Sequence, residues 1–401
     1  MLRNYFKLGL RNILKNKGFY FLNTLSLVVG LIAVLLIGLW VAFEFNFNKS
    51  IKDYPRIARV MQNQTFAGKV ETGPNAPLQL SPILQTEFSD QFEHTATSTF
   101  PNDMDLSYDE RKIVSIGVFA QPSLPYILNV EMLSGQRKAL EDPSSIIISE
   151  SVANTLFGNQ NPVGKILKLG SSMQLSVRGV YKDFAKDTDF ANYKFIGSWE
   201  YLKDVQDYEN RLGWGNNWFQ VLAKIKEGKS FDKVSQLIKN VKQDNYEEAA
   251  KAEFFLFPLA DWHLYSEFEN GRSVGGNIQY VKIFGTVGLF ILFLASINYM
   301  NLSTARALKR SKEVGIRKTL GSSRKQLIIQ FFSESFILIV FSFFVALFVV
   351  MLVLPDFNDL TQKSIAIQFF SPTFWLISLA LIGITALLSS AYPAFYLSAF
   401  K

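Results

Sequence analysis

The chain has no cysteine, and its only histidines are His94 and His263. The first absence excludes disulfides, thiolate metal sites, a cysteine nucleophile and a lipoprotein anchor on an N-terminal cysteine. The second leaves too few imidazoles for a zinc site of the usual histidine-rich kind. Charge is sparse as well. Asp, Glu, Lys and Arg make up 19% of the 401 residues, against 49% hydrophobic residues and 37 phenylalanines. A soluble chain of this length would divide into two or three domains. A mean hydropathy of +0.14 with that much phenylalanine instead puts part of the chain against lipid.

The net charge of +7 invites a nucleic-acid reading, but its placement opposes one. Segment 44–280 carries 25 basic and 30 acidic residues, a balance of −5, so the flanks 1–43 and 281–401 hold +12. Basic charge beside apolar runs is the positive-inside pattern, and no nucleic-acid reader motif is present.

A membrane helix needs about 20 mostly apolar residues. Four runs qualify: 21–43, 281–302, 327–354 with the single acid Glu334, and 374–397 with Pro393 near its end. A cleaved signal peptide is the alternative for the first, since Arg3, Lys7, Arg11, Lys15 and Lys17 precede it. Its apolar stretch is too long, and no small-x-small cleavage site follows it. Segment 303–326 holds Arg306, Lys309, Arg310, Lys312, Arg317, Lys318, Arg324 and Lys325 against Glu313 alone. The link 355–373 has only Lys363 against Asp356 and Asp359. Both termini and 303–326 are therefore expected in the cytoplasm, with 355–373 and the large segment 44–280 outside. Within 1–20, Arg3, Lys7, Arg11 and Lys15 recur every fourth residue beside Leu2, Tyr5, Phe6, Ile13 and Leu14. That spacing predicts an amphipathic helix in the cytoplasmic headgroup layer. The fold class is thus an α-helical membrane protein with four transmembrane helices plus a large extracytoplasmic mixed α+β domain.

Within that domain, Ser145-Ile-Ile-Ile-Ser149 predicts a strand and 150–157 a helix ending at Gly158. Asn161-Pro-Val-Gly164 predicts a turn, with strands at 166–169, 174–181 and 219–225 and a helix at 230–241. Residues 61–110 show little periodicity and are not placed. The stretch from Gly158 to Gly164-Lys165 imitates a phosphate loop, but it has five residues between the glycines and Ile166 where Ser or Thr must hold Mg²⁺. No G-x-S-x-G elbow or H-E-x-x-H occurs, and no carboxylate pair stands out, so no catalytic residue is assigned.

The informative stretch is Asn298-Tyr-Met-Asn-Leu-Ser-Thr-Ala-Arg306, then Arg310-Ser-Lys-Glu-Val-Gly-Ile-Arg-Lys318 and Thr319-Leu320-Gly321. Val314, Ile316 and Leu320 offer an apolar contact among cations before Gly321 breaks the run. A short helix lying across the membrane surface there can dock into a groove of another protein; a plain lipid-facing basic loop is the alternative.

At 310–321, with Gln330-Phe-Phe-Ser-Glu-Ser335, the sequence resembles the FtsX/MacB-type permease family of ABC systems. Leu156-Phe-Gly158, Asn161-Pro-Val-Gly-Lys165 and Val177-Arg-Gly-Val180 are similar to that family's MacB-like periplasmic core domain. Pro258-Leu-Ala-Asp-Trp-His-Leu264 resembles the element leading into its second span, and Asn298 with Asn301-Leu-Ser-Thr-Ala305 resembles the Bacteroidetes branch. The resemblance implies a non-catalytic permease of the bacterial inner membrane with no cofactor of its own. ATP and Mg²⁺ would be bound by a separate cytoplasmic ABC ATP-binding subunit. It further implies a second permease copy or half, contact with membrane lipid, and a periplasmic or outer-membrane partner. Export of a substrate, or force transmission to a periplasmic target, is the expected function. Glu313, Val314, Ile316, Arg317, Lys318 and Leu320 are the expected ATPase-coupling residues, and Glu334 an interface acid. Members of this branch commonly carry a second copy of the same plan, so the chain is expected to be the first half of an eight-span protein or a four-span protein with its tail cut. The competing reading is a transmembrane sensor with a periplasmic ligand-binding domain. Two further spans, rather than an output domain, follow the second span, which argues against it.

Overall fold

A computed structural model describes residues 17–208, 212–246, 252–309, 316 and 323–399. The expected amphipathic helix within 1–20 lies outside these residues, apart from 17–20. Contacts divide the chain into two units: one takes in the described residues up to Glu44 and from Tyr280 onward, the other is Phe45–Gln279.

Helix α1, Lys17–Asn46, leads into the second unit. There follow β1 (Ile57–Phe66), β2 (Lys69–Gly73), α2 (Leu80–Glu87), β3 (Phe92–Ser98), β4 (Asn102–Tyr108), β5 (Arg111–Ala120), α3 (Leu124–Ile127), β6 (Met132–Gly135) and β7 (Ser145–Ser149). Next come α4 (Glu150–Phe157), β8 (Ile166–Leu169), β9 (Met173–Tyr181), β10 (Phe195–Ser198), α5 (Trp199–Gln206) and β11 (Gln220–Ile225). The unit ends with α6 (Phe231–Ile238), α7 (Val241–Asn245), β12 (Glu253–Pro258), α8 (Leu259–Trp262), β13 (Glu267–Glu269) and β14 (Arg272–Gly275).

Local chemistry explains several of these boundaries. Ser149 caps α4 by accepting from the Val152 amide, Glu150 sits in the positive first turn, and Gly158 at φ 58° ends the helix. The sequence between the two glycines of the false phosphate loop is a turn. Gly164, at φ 88°, donates its amide to the Val177 carbonyl, and the Val163 amide bonds Asn161 Oδ1.

Strands β5, β4, β8, β9, β7 and β10 pair in succession, and β10 pairs in parallel with β5, so six strands close on themselves. Leu106, Ile146, Ile148, Leu167, Leu169, Leu175, Val177 and Phe195 fill the centre at 0% exposure. Each such side chain contributes about 1.5–3 kcal/mol by leaving water. From β5 the sheet continues antiparallel through β3, β11, β1 and β12. One face of this part is covered by α2 and α6, through Leu80, Leu84, Val234 and Ile238 against Val60, Val221, Ala223 and Phe254. A third core joins the two parts, with Ile57, Tyr181, Phe190, Tyr193, Leu222, Leu259 and Trp262.

The other unit holds α9 (Ile278–Lys309), α10 (Arg324–Thr361) and α11 (Pro372–Ala399) together with most of α1. Among the described residues, four helical stretches are long and apolar enough to cross a membrane: Phe21–Asn46, Ile278–Ala305, Phe332–Thr361 and Pro372–Ser390. Each helix runs beyond the span expected from the sequence. Helix α10 continues through Pro355 to Thr361, so the link expected at 355–373 begins later, with Gln362 in the left-handed region as the cap. Proline removes one backbone donor, and the packed helix tolerates that loss. Leu27, Leu31, Leu292, Ile339, Phe343, Val350 and Ile382 face inward, whereas Phe290, Leu294, Phe348, Leu352 and Leu376 are 61–67% exposed. A protein this apolar on the outside is solvated by lipid.

Helices α1 and α9 pack antiparallel along a constant register. The rungs are Ser26 with Asn298 (2.5 Å between Oγ and Nδ2), Gly30 with Ala295, Ile37 with Gly288, and Trp40 with Phe284, whose ring centres are 5.1 Å apart. A β-carbon at Gly30 would lie 2.4 Å from that of Ala295, far inside contact distance. Small residues let membrane helices approach this closely. Gly30→Leu is therefore expected to cost about 2 kcal/mol or more by overpacking. Gly38→Leu, which meets nothing within 4 Å, is expected to be neutral. Thermal unfolding of the two variants in detergent checks the contrast. At the far end of α1, Lys363 Nζ lies 3.0 Å from Glu44 Oε1 and 5.5 Å from the centre of the Phe43 ring, fastening the α10–α11 link to that helix.

Candidate functional site

The large unit has two chain crossings, one where α1 ends and one where α9 begins. Both are tied to one short segment, residues 258–264, which contains α8. At the first crossing Asn48 is fully buried and left-handed at φ 67°, a conformation asparagine tolerates better than most residues. Its amide nitrogen donates to Asp189 Oδ2 at 2.8 Å and to the Leu259 carbonyl at 3.2 Å, and its Oδ1 accepts from the Asp189 amide at 2.9 Å. The Asn48 backbone amide donates to the Asp187 carbonyl at 2.7 Å, and Ser50 Oγ donates to Asp187 Oδ1 at 2.9 Å. Phe47 stacks on His263 with ring centres 3.9 Å apart. At the second crossing Asn277 Nδ2 donates to the His263 carbonyl at 2.9 Å, and the Ile278 amide donates to the Leu264 carbonyl at 3.1 Å.

The segment is anchored inward. Trp262 Nε1 donates to the Phe257 carbonyl at 2.8 Å, and its ring carries the Arg59 guanidinium 4.3 Å above it. Burial lowers the Arg59 pKa, and Asp189 and Tyr193 work against that shift. Such a cation over an indole is held by the ring's negative face as well as by the nearby acid. The tie therefore joins charge, backbone and aromatic contacts at one place.

A second charged cluster braces the base of β1. Lys224, only 6% exposed in its side chain, reaches Asp53 and Glu93 at 3.0 Å each, and Arg56 reaches Glu93 at 2.6 Å and Asp53 at 3.3 Å. The Lys224 hydrogen bond is the main cause holding the Asp53 carboxyl below its ordinary pKa. Glu93 is also held low: burial pushes it up, but the bonds from Lys224 and Arg56 outweigh that. Carboxyls depressed in the folded state stabilise it above their unfolded pKa values, near 4, and lose that contribution as pH falls further. Unfolding measured between pH 6 and 3 is expected to show stability dropping below about pH 4. In Lys224→Met that drop is expected to be shallower.

Of the residues expected to couple to an ATPase, Glu313, Val314, Arg317, Lys318 and Leu320 lie outside the described residues. Ile316 is 60% exposed, and Glu334 is buried on α10 at 8% exposure, beside Ser335. The start of α10 is fixed by a capping box, in which Ser323 and Gln326 bond each other's backbone amides. Asn48, Asp187, Asp189, Arg59 and the Lys224 cluster carried no signal in the sequence, because their partners stand far away along the chain. Among the described residues no group of three or more His, Asp or Glu side chains is placed to hold a metal ion.

Two families of known proteins match the chain in succession. Residues 20–241 match the family described as the MacB-like periplasmic core domain, and residues 285–400 match the FtsX-like permease C-terminal family. The macrolide export ATP-binding/permease protein MacB of Neisseria meningitidis is 24% identical over 53% of this chain and 31% of its own length. The protein of the same name from Bdellovibrio bacteriovorus is 22% identical over 48% of this chain and 28% of its own. The chain thus spans about a third of the length of these relatives. The periplasmic region of MacB from Actinobacillus actinomycetemcomitans superposes with a TM-score of 0.40 at 12% identity, covering 53% of this chain and 94% of that structure. With one family matched across more than half of the chain and the second across most of the remainder, the protein belongs to the FtsX/MacB-type permeases of ABC transporters.

Proposed function

We propose that this chain is the permease subunit of an inner-membrane complex in which ATP hydrolysis by a separate cytoplasmic ABC subunit moves the periplasmic domain. The movement would expel a substrate or act on a periplasmic or membrane target. The observation that supports this reading is the shared anchorage of both chain crossings on residues 258–264. A displacement arriving by either crossing reaches the same segment, and through Trp262 and Arg59 it reaches β1 and the central core. In this reading residues 303–321 meet the ATPase from the cytoplasmic side, both termini lie in the cytoplasm, and a second permease copy or half completes the complex. Nucleotide and Mg²⁺ sit in the partner. The relatives named for macrolide export favour efflux of a substrate over regulation without transport.

Affinity purification of the tagged protein from its native membranes tests the proposal. A P-loop ATPase recovered in stoichiometric amount is the expected result. If no ATPase is recovered from the full-length gene product, a transmembrane sensor replaces the permease reading.

A further inference from the structure

The link between α10 and α11 opens the longest charge-free stretch of the chain: no Asp, Glu, Lys or Arg occurs from Ser364 to Phe400. That stretch begins before the span itself, since α11 starts at Pro372. The last charges ahead of it are Asp356 and Asp359 at the end of α10 and Lys363, which is held by Glu44. The sequence Ser364-Ile-Ala-Ile-Gln-Phe-Phe-Ser371 therefore has no ionised group to hold it in water.

Inward and outward positions alternate along this link. Ile365 is 4% exposed, and Ile367 and Phe369 pack against the bundle core, whereas Ala366, Gln368 and Phe370 are exposed. Hydrogen bonds fix the alternation. Asn358 Nδ2 donates to the Ile365 carbonyl and Asn358 Oδ1 accepts from the Ile365 amide, both at 2.9 Å. The Ser371 amide donates to the Gln368 carbonyl at 2.9 Å, and Trp375 Nε1 donates to the Phe369 carbonyl at 2.8 Å. Phe369 also packs edge-on against Phe374, with ring centres 5.8 Å apart. Phe370, next to it, is 102% exposed, so the protein covers no part of its ring. The fold presents that ring outward and denies it an inward alternative.

We propose that the α10–α11 link is a membrane-interface wedge: its backbone lies at the headgroup level, and the Phe370 ring enters the acyl chains. The leaflet concerned is the one beside the C-terminal end of α1, where Lys363 meets Glu44. In the orientation proposed above, that is the periplasmic leaflet. Continuity with the lipid-facing surface identifies the occupant. Trp375, Leu376, Ile377 and Leu379 on the first turns of α11 are 38–67% exposed, and no charge separates them from Phe370. Irregular backbone is not tolerated against hydrocarbon, which sets the link in the headgroup layer and lets only side chains reach deeper. Aromatic side chains favour that depth. The inference concerns lipid alone and does not rest on any ATPase.

The test exploits the absence of cysteine, which makes any introduced thiol the sole labelling site. Phe370→Cys carrying a nitroxide is studied in the full chain, in phosphatidylglycerol nanodiscs, by collision with oxygen and with a water-soluble nickel chelate. Leu376→Cys serves as the lipid-facing reference and Glu110→Cys, exposed on a turn of the large unit, as the aqueous one. The oxygen-to-nickel collision ratio at 370 is expected to match that at 376 and to exceed that at 110 at least tenfold. A ratio equal to that at 110 would place the ring in water and overturn the proposal. Suppressed collision with both reagents would show cover by protein, such as a second copy, and overturn it equally. Phe370→Asp provides an independent reading, because replacing a ring that the protein does not cover removes no contact within the chain. It is expected to speed hydrogen exchange of amides 366–371 in nanodiscs at least tenfold, with Phe370→Leu close to native. Native exchange in Phe370→Asp would remove the wedge.

Discussion

Asn48→Leu is expected to lower the stability of the periplasmic domain by roughly 3 kcal/mol or more and to release the first chain crossing from the 258–264 segment. Three side-chain hydrogen bonds disappear, one of them charge-assisted; the buried Leu259 carbonyl loses a donor, while the exposed Asp189 carboxylate turns to water. An unsatisfied buried polar group costs about 1–3 kcal/mol, more when charged, and a branched residue at φ 67° adds about 1–2 kcal/mol. For a domain of this size the sum corresponds to a fall in melting temperature of about 6–12 °C. Asn48→Gly separates the terms, since it removes the side-chain bonds but accepts the backbone conformation. It should sit between leucine and the native protein. Thermal unfolding of the full chain in detergent, followed by limited proteolysis near residue 48, measures both consequences. Equal stability in all three proteins would dissolve the anchoring role assigned to Asn48.

Val314→Asp is expected to abolish stimulation of the partner ATPase while leaving membrane insertion intact. Val314, Ile316 and Leu320 form the apolar part of a segment otherwise dominated by cations, and a carboxylate in a docked apolar contact must be desolvated. Burying an unpaired charge costs several kcal/mol, enough to reduce a docked population by two orders of magnitude or more at ~1.4 kcal/mol per factor of ten. A substitution outside the spans adds no charge to lipid, so insertion has no reason to change. ATPase activity of the reconstituted complex, set against flotation of the variant with membranes, reads the two outcomes separately. Full stimulation by the variant would remove 303–321 from the coupling role.

How much of this was legible beforehand depends on the range of the interactions. Four spans follow from uninterrupted apolar runs, a signal written in consecutive residues. Ser145-Ile-Ile-Ile-Ser149 and the helix after it were equally plain, since β-branched residues, a serine cap and Gly158 act locally. Residues 61–110 hid most of β1 and the elements β2, α2, β3 and β4. Two of their turns place positive φ on Ala67 and Asp109 rather than on an obvious Asn-Gly pair. The alternation Met104, Leu106, Tyr108 was present in β4 but is diluted by neighbouring acids. The joint was illegible for a stronger reason. Asn48 meets partners 141 and 211 residues away, and no spacing rule links positions so far apart.

The rungs between α1 and α9 also limit how those two helices can move past each other. A slip by one turn, about 5.4 Å, would carry each residue to the next rung. Gly30 would then face Ile291 or Tyr299 in place of Ala295, and Ile37 would face Phe284 or Leu292 in place of Gly288. In both directions the Ile37 rung exchanges a close small-to-large fit for two bulky side chains, and the Gly30 rung sets a bulky side chain where the spacing fits only alanine. The seam acts as a tongue-and-groove joint that is stopped at both ends. The two helices can lean or turn together like a lever, but a piston stroke of one along the other is blocked.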